Sequence, residues 1–476
     1  YIGHVMNRKI LNFIYPLIAL LLFSTVDTDA QSYEQMKKKF RHAMTQDRNS
    51  SGREFFVAFP FNDSKNQRGQ NLAIYVTSSV DTKATIYNAA LGIDETKIVP
   101  AHEIVEFSSV KGGIGWDVEV YDLEKKVDAG LRITSPDPIA VYCMNSKSVT
   151  SEGYLAIPTN YWGTDYIHNS YYDFDEVREW AGGFVVLAKE DVTTVTIQIR
   201  DGANKTRGFG ETAKGRQHGD VIKVTLNQGE VYLVQGSGKT IAQFDLSGTL
   251  INSDKPIGLI SYHNRTTIPQ SGRNNGRDHL IEMPPPVTAW GTEYATVEYD
   301  RGSDKGDYFR VVAGEDNITF TIDWYEKAGG GNNKKIKSIG PVKLTQKGDW
   351  FEYDNAPVVN PHNLESIRGV SRFKADGPIQ VMQYSYSANY DGASAYDPFM
   401  ILVTAVEQYT METTFQTPAN YGNNEYKDNF FNIIAIGDTA DPVRHQELMN
   451  SVTIDDQRVV DIQHAFIGAL IPGTNL

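Results

Sequence analysis

Short stretches in which apolar and polar residues alternate recur along this chain from about residue 52 onward. Thr194-Val-Thr-Ile-Gln-Ile, Val221-Ile-Lys-Val-Thr-Leu and Glu230-Val-Tyr-Leu-Val are β-branched and carry the two-residue period of half-buried strands. Asp201-Gly, Asn227-Gln-Gly and Gln346-Lys-Gly-Asp supply turns between such segments. A helical period appears after residue 52 only in short pieces near Asp175 to Trp180 and His445 to Met449, so the pattern predicts an all-β chain.

The same patterns return at fixed spacing. Ser135-Pro-Asp-Pro-Ile-Ala-Val, Ser253-Asp-Lys-Pro-Ile-Gly-Leu and Ala375-Asp-Gly-Pro-Ile-Gln-Val are three copies of one motif. Pro158-Thr-Asn-Tyr-Trp-Gly-Thr-Asp-Tyr matches Pro286-Val-Thr-Ala-Trp-Gly-Thr-Glu-Tyr, with a degraded third copy near Glu407-Gln-Tyr-Thr. Phe55-Phe-Val-Ala-Phe, Phe184-Val-Val-Leu-Ala, Phe309-Arg-Val-Val-Ala and Phe431-Asn-Ile-Ile-Ala form another set. Ordered recurrence of this kind predicts tandem units of about 120 residues. The expected organisation is a unit over 53–180, a second over 181–305, a third over 306–427 and the start of a fourth over 428–476, the chain being a piece of something longer. Seven or eight strands per unit fit packed β-sandwiches; a β-propeller with two blades per unit is the competing arrangement. The proline of each Pro-Ile copy suits the first residue of a strand, where a missing N–H costs no ladder bond. The glycine after each tryptophan suggests a bulge or a close approach beneath the indole.

The first 30 residues change the picture of location. Arg8 and Lys9 precede an apolar run from Ile10 to Val26, and Thr28-Asp-Ala30 supplies small residues before Gln31, the pattern of a secretory signal peptide. Asn12 and Pro16 interrupt the run, which is short for a membrane span. Residues 31–52 read as a polar lead-in. The expected location is therefore secreted or at the cell surface. Lys and Arg number 45 against 59 Asp and Glu, a net charge of −14, which argues against nucleic-acid binding as the main activity. Cys143 is the only cysteine, so an exported chain must hold together without an intrachain disulfide; its place in Ile139-Ala-Val-Tyr-Cys predicts a buried, inert thiol.

The segments Asp254-Lys-Pro-Ile-Gly-Leu-Ile-Ser-Tyr-His263 and Asp278-His-Leu-Ile-Glu-Met-Pro-Pro-Pro-Val-Thr-Ala-Trp-Gly-Thr-Glu-Tyr294 resemble the N-terminal domain family of the IgG Fc-binding protein. The likeness extends to Pro158 through Tyr166 and to Gly52-Arg-Glu-Phe-Phe-Val-Ala-Phe. It implies an extracellular, non-catalytic module of secreted or surface proteins, without implying that this copy binds immunoglobulin. Animal relatives carry a cysteine shortly after the histidine matching His263; Asn264 and Arg265 stand here instead, which looks like a bacterial version built without disulfides. Asn49, Asn62, Asn204, Asn264 and Asn317 lie in glycosylation sequons, which matter only in a eukaryotic host.

Candidate chemistry is sparse. Gly236-Ser-Gly-Lys-Thr lacks the first glycine of a phosphate-binding loop, since Leu233 stands there, and His102-Glu-Ile-Val-Glu lacks the second histidine of a zinc-protease helix. The strongest candidate for ligand binding is the span holding His263, Arg265, Arg273, Arg277, Asp278, His279 and Glu282 around a glycine- and asparagine-rich loop, where the equivalents of His263 are Asn145 and Ser385; the plainer reading, and the favoured one, is that Asp278 and His279 tie a loop to the sheet and the arginines are solvated. Tyr171, Tyr172 and Trp180, interleaved with Asp173 and Asp175, suit a sugar ring; ordinary strand and turn packing is the favoured account of the same residues. Asp300, Asp304 and Asp307 offer hard oxygen ligands for a structural calcium. The reading is a non-catalytic binding or adhesion module for a protein or glycan partner, with no cofactor. Spacer units of a larger surface protein are the alternative. A carbohydrate-active enzyme would need Glu282 and Asp173 or Asp175 to face one groove.

Overall fold

The computed structural model describes residues 50–63, 71–108, 118–147, 149–173, 180–200, 210–238, 244–269, 276–299, 306–327, 333–352, 369–392 and 396–410, with Ile367 and scattered positions between 432 and 458. The chain is all-β. Its first part contributes β1 (Gly52–Val57), β2 (Phe59–Pro60), β3 (Asn71–Thr77), β4 (Thr82–Asn88), β5 (Ile93–Val99), β6 (Ile104–Ser108), β7 (Glu119–Val120), β8 (Lys126–Asp128), β9 (Leu131–Lys147) and β10 (Thr150–Leu155). The middle contributes β11 (Gly163–Ile167), β12 (Gly182–Ala188), β13 (Thr193–Gln198), β14 (Val221–Leu226), β15 (Glu230–Gln235), β16 (Leu250–Thr266) and β17 (Asp278–Glu282). Then come β18 (Gly291–Val297), β19 (Tyr308–Ala313), β20 (Ile318–Lys327), β21 (Asn333–Leu344), β22 (Trp350–Glu352), β23 (Val370–Tyr384) and β24 (Met400–Leu402).

Three large sheets share one connectivity. Their orders are β5-β4-β9-β3-β6, β14-β13-β16-β12-β15 and β21-β20-β23-β19-β22, and two further strands pair with the long central one in each case: β1 and β10, β11 and β17, β18 and β24. The long strand explains the Pro-Ile motif. The first half of β9 pairs with β1 and β4, and its second half with β3 and β10. Between the halves the register jumps: Gly52 lies opposite Ile139 but Glu54 opposite Thr134, and the same jump separates Gly163 from Asp165 and Gly291 from Glu293. The strand turns a corner from one face of a sandwich to the other at the residues before Pro138, Pro256 and Pro378, where a missing N–H coincides with a broken ladder. The motif aspartates brace the corner, as the N–H of Thr194 donates to Asp254 Oδ1 at 2.8 Å and that of Thr319 to Asp376 Oδ1 at 2.7 Å. This crossing order is that of a sandwich, not of propeller blades.

Adjacent sandwiches bury one another. Phe184 and Val186 of β12 point into the core of the second sandwich, whereas Val185 and Leu187 join the first core beside Ile74, Phe107 and Cys143. In β19, Phe309 and Val311 serve the third core while Tyr308 and Val312 meet Tyr171, Ile268 and Leu280 of the second sandwich. Burial on both faces is why these strands read as unbroken apolar runs. Each buried aliphatic side chain contributes roughly 1.5–3 kcal/mol, so parting two sandwiches is costly. β8, from the first part of the chain, adds to the edge strand β15 of the second sheet.

One sequence expectation is corrected and another is decided between its alternatives. Phe55 lies on β1, not on the counterpart of β12 and β19; Ile74 of β3, which faces Cys143 of β9 as Phe184 faces Ser261 of β16, takes the place of Phe184. Of the two roles expected for the glycine after the tryptophan, the bulge is present, with the register shifting between Gly163 and Asp165 and between Gly291 and Glu293, whereas Gly163 does not sit beneath the indole. A Cβ on Gly163 would lie 2.6 Å from Pro286, and it is Gly258 whose Cβ would meet the Trp162 ring, also at 2.6 Å. The degraded third copy keeps its shape: the turns Thr159–Tyr161, Val287–Ala289 and Val406–Gln408 are all 3₁₀, with Tyr409 following where the others have Trp162 and Trp290. Residues 1–30 and most of 31–52 and 428–476 lie outside the described residues. Among those described, no helix is long and apolar enough to cross a membrane.

Candidate functional site

The end of β16 carries His263 into the second sandwich, where it is fully buried. Its Nε2–H donates to the Tyr172 carbonyl at 2.7 Å and its Nδ1 accepts from the Arg265 N–H at 3.2 Å, which fixes a neutral tautomer. Burial pushes the imidazole down to about 3. Asn145 donates to the Pro60 carbonyl from the same place in the first sandwich, and Ser385 accepts the Phe399 N–H in the third, so the position ties a loop to a sheet in each. His279 is equally buried; its Nδ1–H donates to the Asn264 carbonyl at 3.2 Å, and burial holds it near 3. Neither ring faces solvent.

β17 places its acids at seams. Asp278 Oδ1 accepts the Thr150 hydroxyl, the Ser151 N–H and the His279 N–H, joining the first sandwich to the second, and burial drives the carboxyl up to about 8. Glu282 Oε1 accepts the Leu402 N–H at 3.1 Å, joining the second to the third, and burial raises it to about 7. Asp173, the proposed partner of Glu282 in an enzyme, is buried with Oδ1 accepting the Phe244 N–H. Asp175 and Arg273 lie outside the described residues.

Tyr171 and Tyr172 are buried at 3% exposure and offer no face to a sugar. They surround Arg310, which the sequence reading missed. This guanidinium is fully buried, pairs with Asp245 at 2.7 Å and Glu352 at 3.4 Å, donates to the Ser170 carbonyl at 2.8 Å and lies over the rings of Trp350, Tyr172 and Tyr171. Tyr172 and Tyr308 both donate to Glu352. One charged residue inside the apolar run Phe309-Arg-Val-Val-Ala was the available signal.

Three of the predicted residues do come together near the surface. The Trp180 indole is flanked by the guanidinium groups of Arg265 and Arg277, 5.2 and 5.7 Å from its centre. Asp63, from the first sandwich, accepts both the Trp180 Nε1–H at 3.1 Å and Arg265 Nη1 at 3.1 Å. Both arginines keep partial exposure. The indole itself is buried at 6% exposure, so what reaches solvent at this sandwich junction is a pair of guanidinium groups, suited to acidic groups and planar rings.

Residues 152–466 match the family described as IgGFc binding protein. The chain belongs to that family. The human IgGFc-binding protein is 23% identical over 279 residues, which cover 58% of this chain and 4% of the human one. No solved structure matches. Of the aspartates considered for calcium, Asp300 and Asp304 lie outside the described residues, and Asp307 is buried, with Oδ2 accepting the Tyr299 N–H and Gln383 Nε2. Among the described residues no three His, Cys, Asp or Glu side chains are grouped to hold a metal. Cys143 is buried, and burial pushes its thiol up to about 12, as suits an inert residue.

Proposed function

We propose that this chain is an exported, non-catalytic binding module of the IgGFc binding protein family, built from repeated sandwich units and recognising a protein or glycan partner. The Arg265 and Arg277 guanidiniums over the buried Trp180 carry the reading, because they are predicted binding residues that combine positive charge with partial solvent access. The apolar run at residues 10–26 supports export. The single cysteine and the non-cysteine residues after His263 support a bacterial-type version of the N-terminal domain, which folds without disulfides. The spacer reading draws on the cores shared between sandwiches, which favour a rigid stack.

The test is to express residues 31–476 and measure binding to IgG Fc, mucin glycans and bacterial polysaccharides, beside an Arg277→Ala variant. Arg277 is chosen because Arg265 also secures Asp63. Saturable binding to one member of the panel, weakened about tenfold or more in the variant, supports the reading. Binding to no member transfers the weight to the spacer.

A further inference from the structure

The three sandwiches differ in what lies on the outer edge of the strand next to β3, β12 and β19. In the ladders with those strands, Glu103-Ile104-Val105, Glu230-Val231-Tyr232 and Asp349-Trp350-Phe351 take equivalent places. An acid opens each triplet. In the second sandwich that edge is filled: Lys126-Val127-Asp128 of β8 lies antiparallel on Glu230-Val231-Tyr232, and Lys126 Nζ reaches Glu230 at 3.7 Å. In the third, Arg200 of the preceding sandwich pairs with Asp349 at 3.3 Å. Val231 and Trp350 are accordingly 0% and 4% exposed.

The first sandwich has the same edge without the same cover. Among the described residues β6 pairs only with β3, Glu103 is exposed, and Ile104 is 39% exposed. Strand alternation sends the N–H and C=O of Ile104 in the direction of the Glu106 carbonyl, which accepts Lys97 Nζ at 2.8 Å just as its counterpart, the Leu233 carbonyl, accepts the Glu124 N–H at 2.8 Å. Lys97 closes the edge beyond Val105 and leaves a slot the length of β8.

We propose that β6 is a strand-addition site for a partner protein, which supplies a short extended segment with an apolar residue against Ile104 and a lysine or arginine opposite Val105, placed to reach Glu103 diagonally as Lys126 reaches Glu230. The warrant is continuity with an interface the molecule already makes: the same edge, with the same acid, receives Lys126-Val127-Asp128 one sandwich further on, where Asp128 lies opposite Glu230 and Lys126, opposite Tyr232, reaches that acid diagonally. Main-chain pairing supplies the affinity, and the diagonal charge contact with Glu103 favours one register. The inference deepens the binding-module reading and rests on it, but it concerns a different surface from the arginine patch.

The probe is a synthetic peptide of the chain's own Asp122–Gly130 sequence, titrated in trans into residues 31–476 while amide hydrogen exchange is followed at Ile104. The expected result is saturable slowing of about tenfold or more at Ile104, lost in Glu103→Lys and regained when that variant meets a peptide carrying Lys126→Glu. No slowing at millimolar peptide overturns the proposal, as does slowing that Glu103→Lys leaves intact. Protection without peptide also overturns it, assigning the edge to a second copy when it grows with protein concentration and to another segment of the chain when it does not. A silent partner panel with a positive titration would count against the arginine patch alone; a positive panel with a silent titration would count against β6 alone.

Discussion

The Tyr166 hydroxyl donates to the Ile257 carbonyl at 2.7 Å and accepts the Gly163 N–H at 3.0 Å, so one buried phenol fastens the start of β11 to the corner of β16. Tyr294 makes the same pair of bonds to Ile379 and Gly291. The two sequence motifs that recur along the chain are thus halves of one joint. Removing the hydroxyl leaves a buried carbonyl and N–H without that partner, at a cost of about 1–3 kcal/mol. Tyr166→Phe is expected to lower the urea midpoint accordingly with an unchanged slope; an unaltered midpoint would mean that the joint is decorative.

Arg310 holds the second and third sandwiches together by charge as well as by packing. Its loss strands Asp245 and Glu352, both buried, with no cation between them. Breaking one side of such a buried network costs roughly 3–5 kcal/mol. Arg310→Met should therefore unfold at markedly lower denaturant than the parent, while the double variant Asp245→Asn, Arg310→Met should recover part of the loss. Equal stability of Arg310→Met and parent would show that the network is neutral.

Much of this architecture was legible because its devices are local. A Pro-Ile step after an aspartate, or a tryptophan-glycine turn before a tyrosine, carries its geometry in a few adjacent residues. Cys143 was readable as buried from its strand neighbours alone. What the sequence hid was the pairing of faces distant along the chain. Tyr171 and Tyr172 next to acidic residues look alike on a surface and in a seam, and only the arrival of Arg310 from β19 decides between them. Phe55 resembled Phe184 because both open an apolar run, yet they lie on strands with different partners. Asp278 and His279 admitted two readings in the sequence, a loop tied to the sheet or a ligand site, because polar groups that close a junction have the composition of polar groups that bind a ligand.

Backbone strain marks one turn. Val192, between β12 and β13, has φ of 54° and is 62% exposed, whereas the corresponding turn before β20 has Asn317 at φ 60°. A β-branched residue in this region costs about 1–2 kcal/mol, and asparagine tolerates it better. The Val192 N–H to Asn227 Oδ1 bond at 3.2 Å is main-chain on the donor side and survives replacement. Val192→Asn is expected to stabilise by about 0.5–1 kcal/mol in equilibrium unfolding; no gain would place the strain elsewhere in the turn.

The acids of β17 make the seams sensitive to pH. Burial lifts Glu282 from its ordinary 4.5 to about 7 and Asp278 from 3.8 to about 8, and Glu152, itself raised well above its usual value by burial and by these two carboxylates, lies beside them. Because the folded values exceed the unfolded ones, the folded chain binds protons that the unfolded chain has released. The resulting stability is fully present below about pH 4 and is lost as pH rises through 7 to 8. Melting temperature should therefore fall between about pH 4 and about pH 8 from these groups, and Glu282→Gln, which keeps an acceptor for the Leu402 N–H but cannot ionise, should flatten that slope. A variant as steep as the parent would move the titration to other groups and leave the β17 seams indifferent to pH.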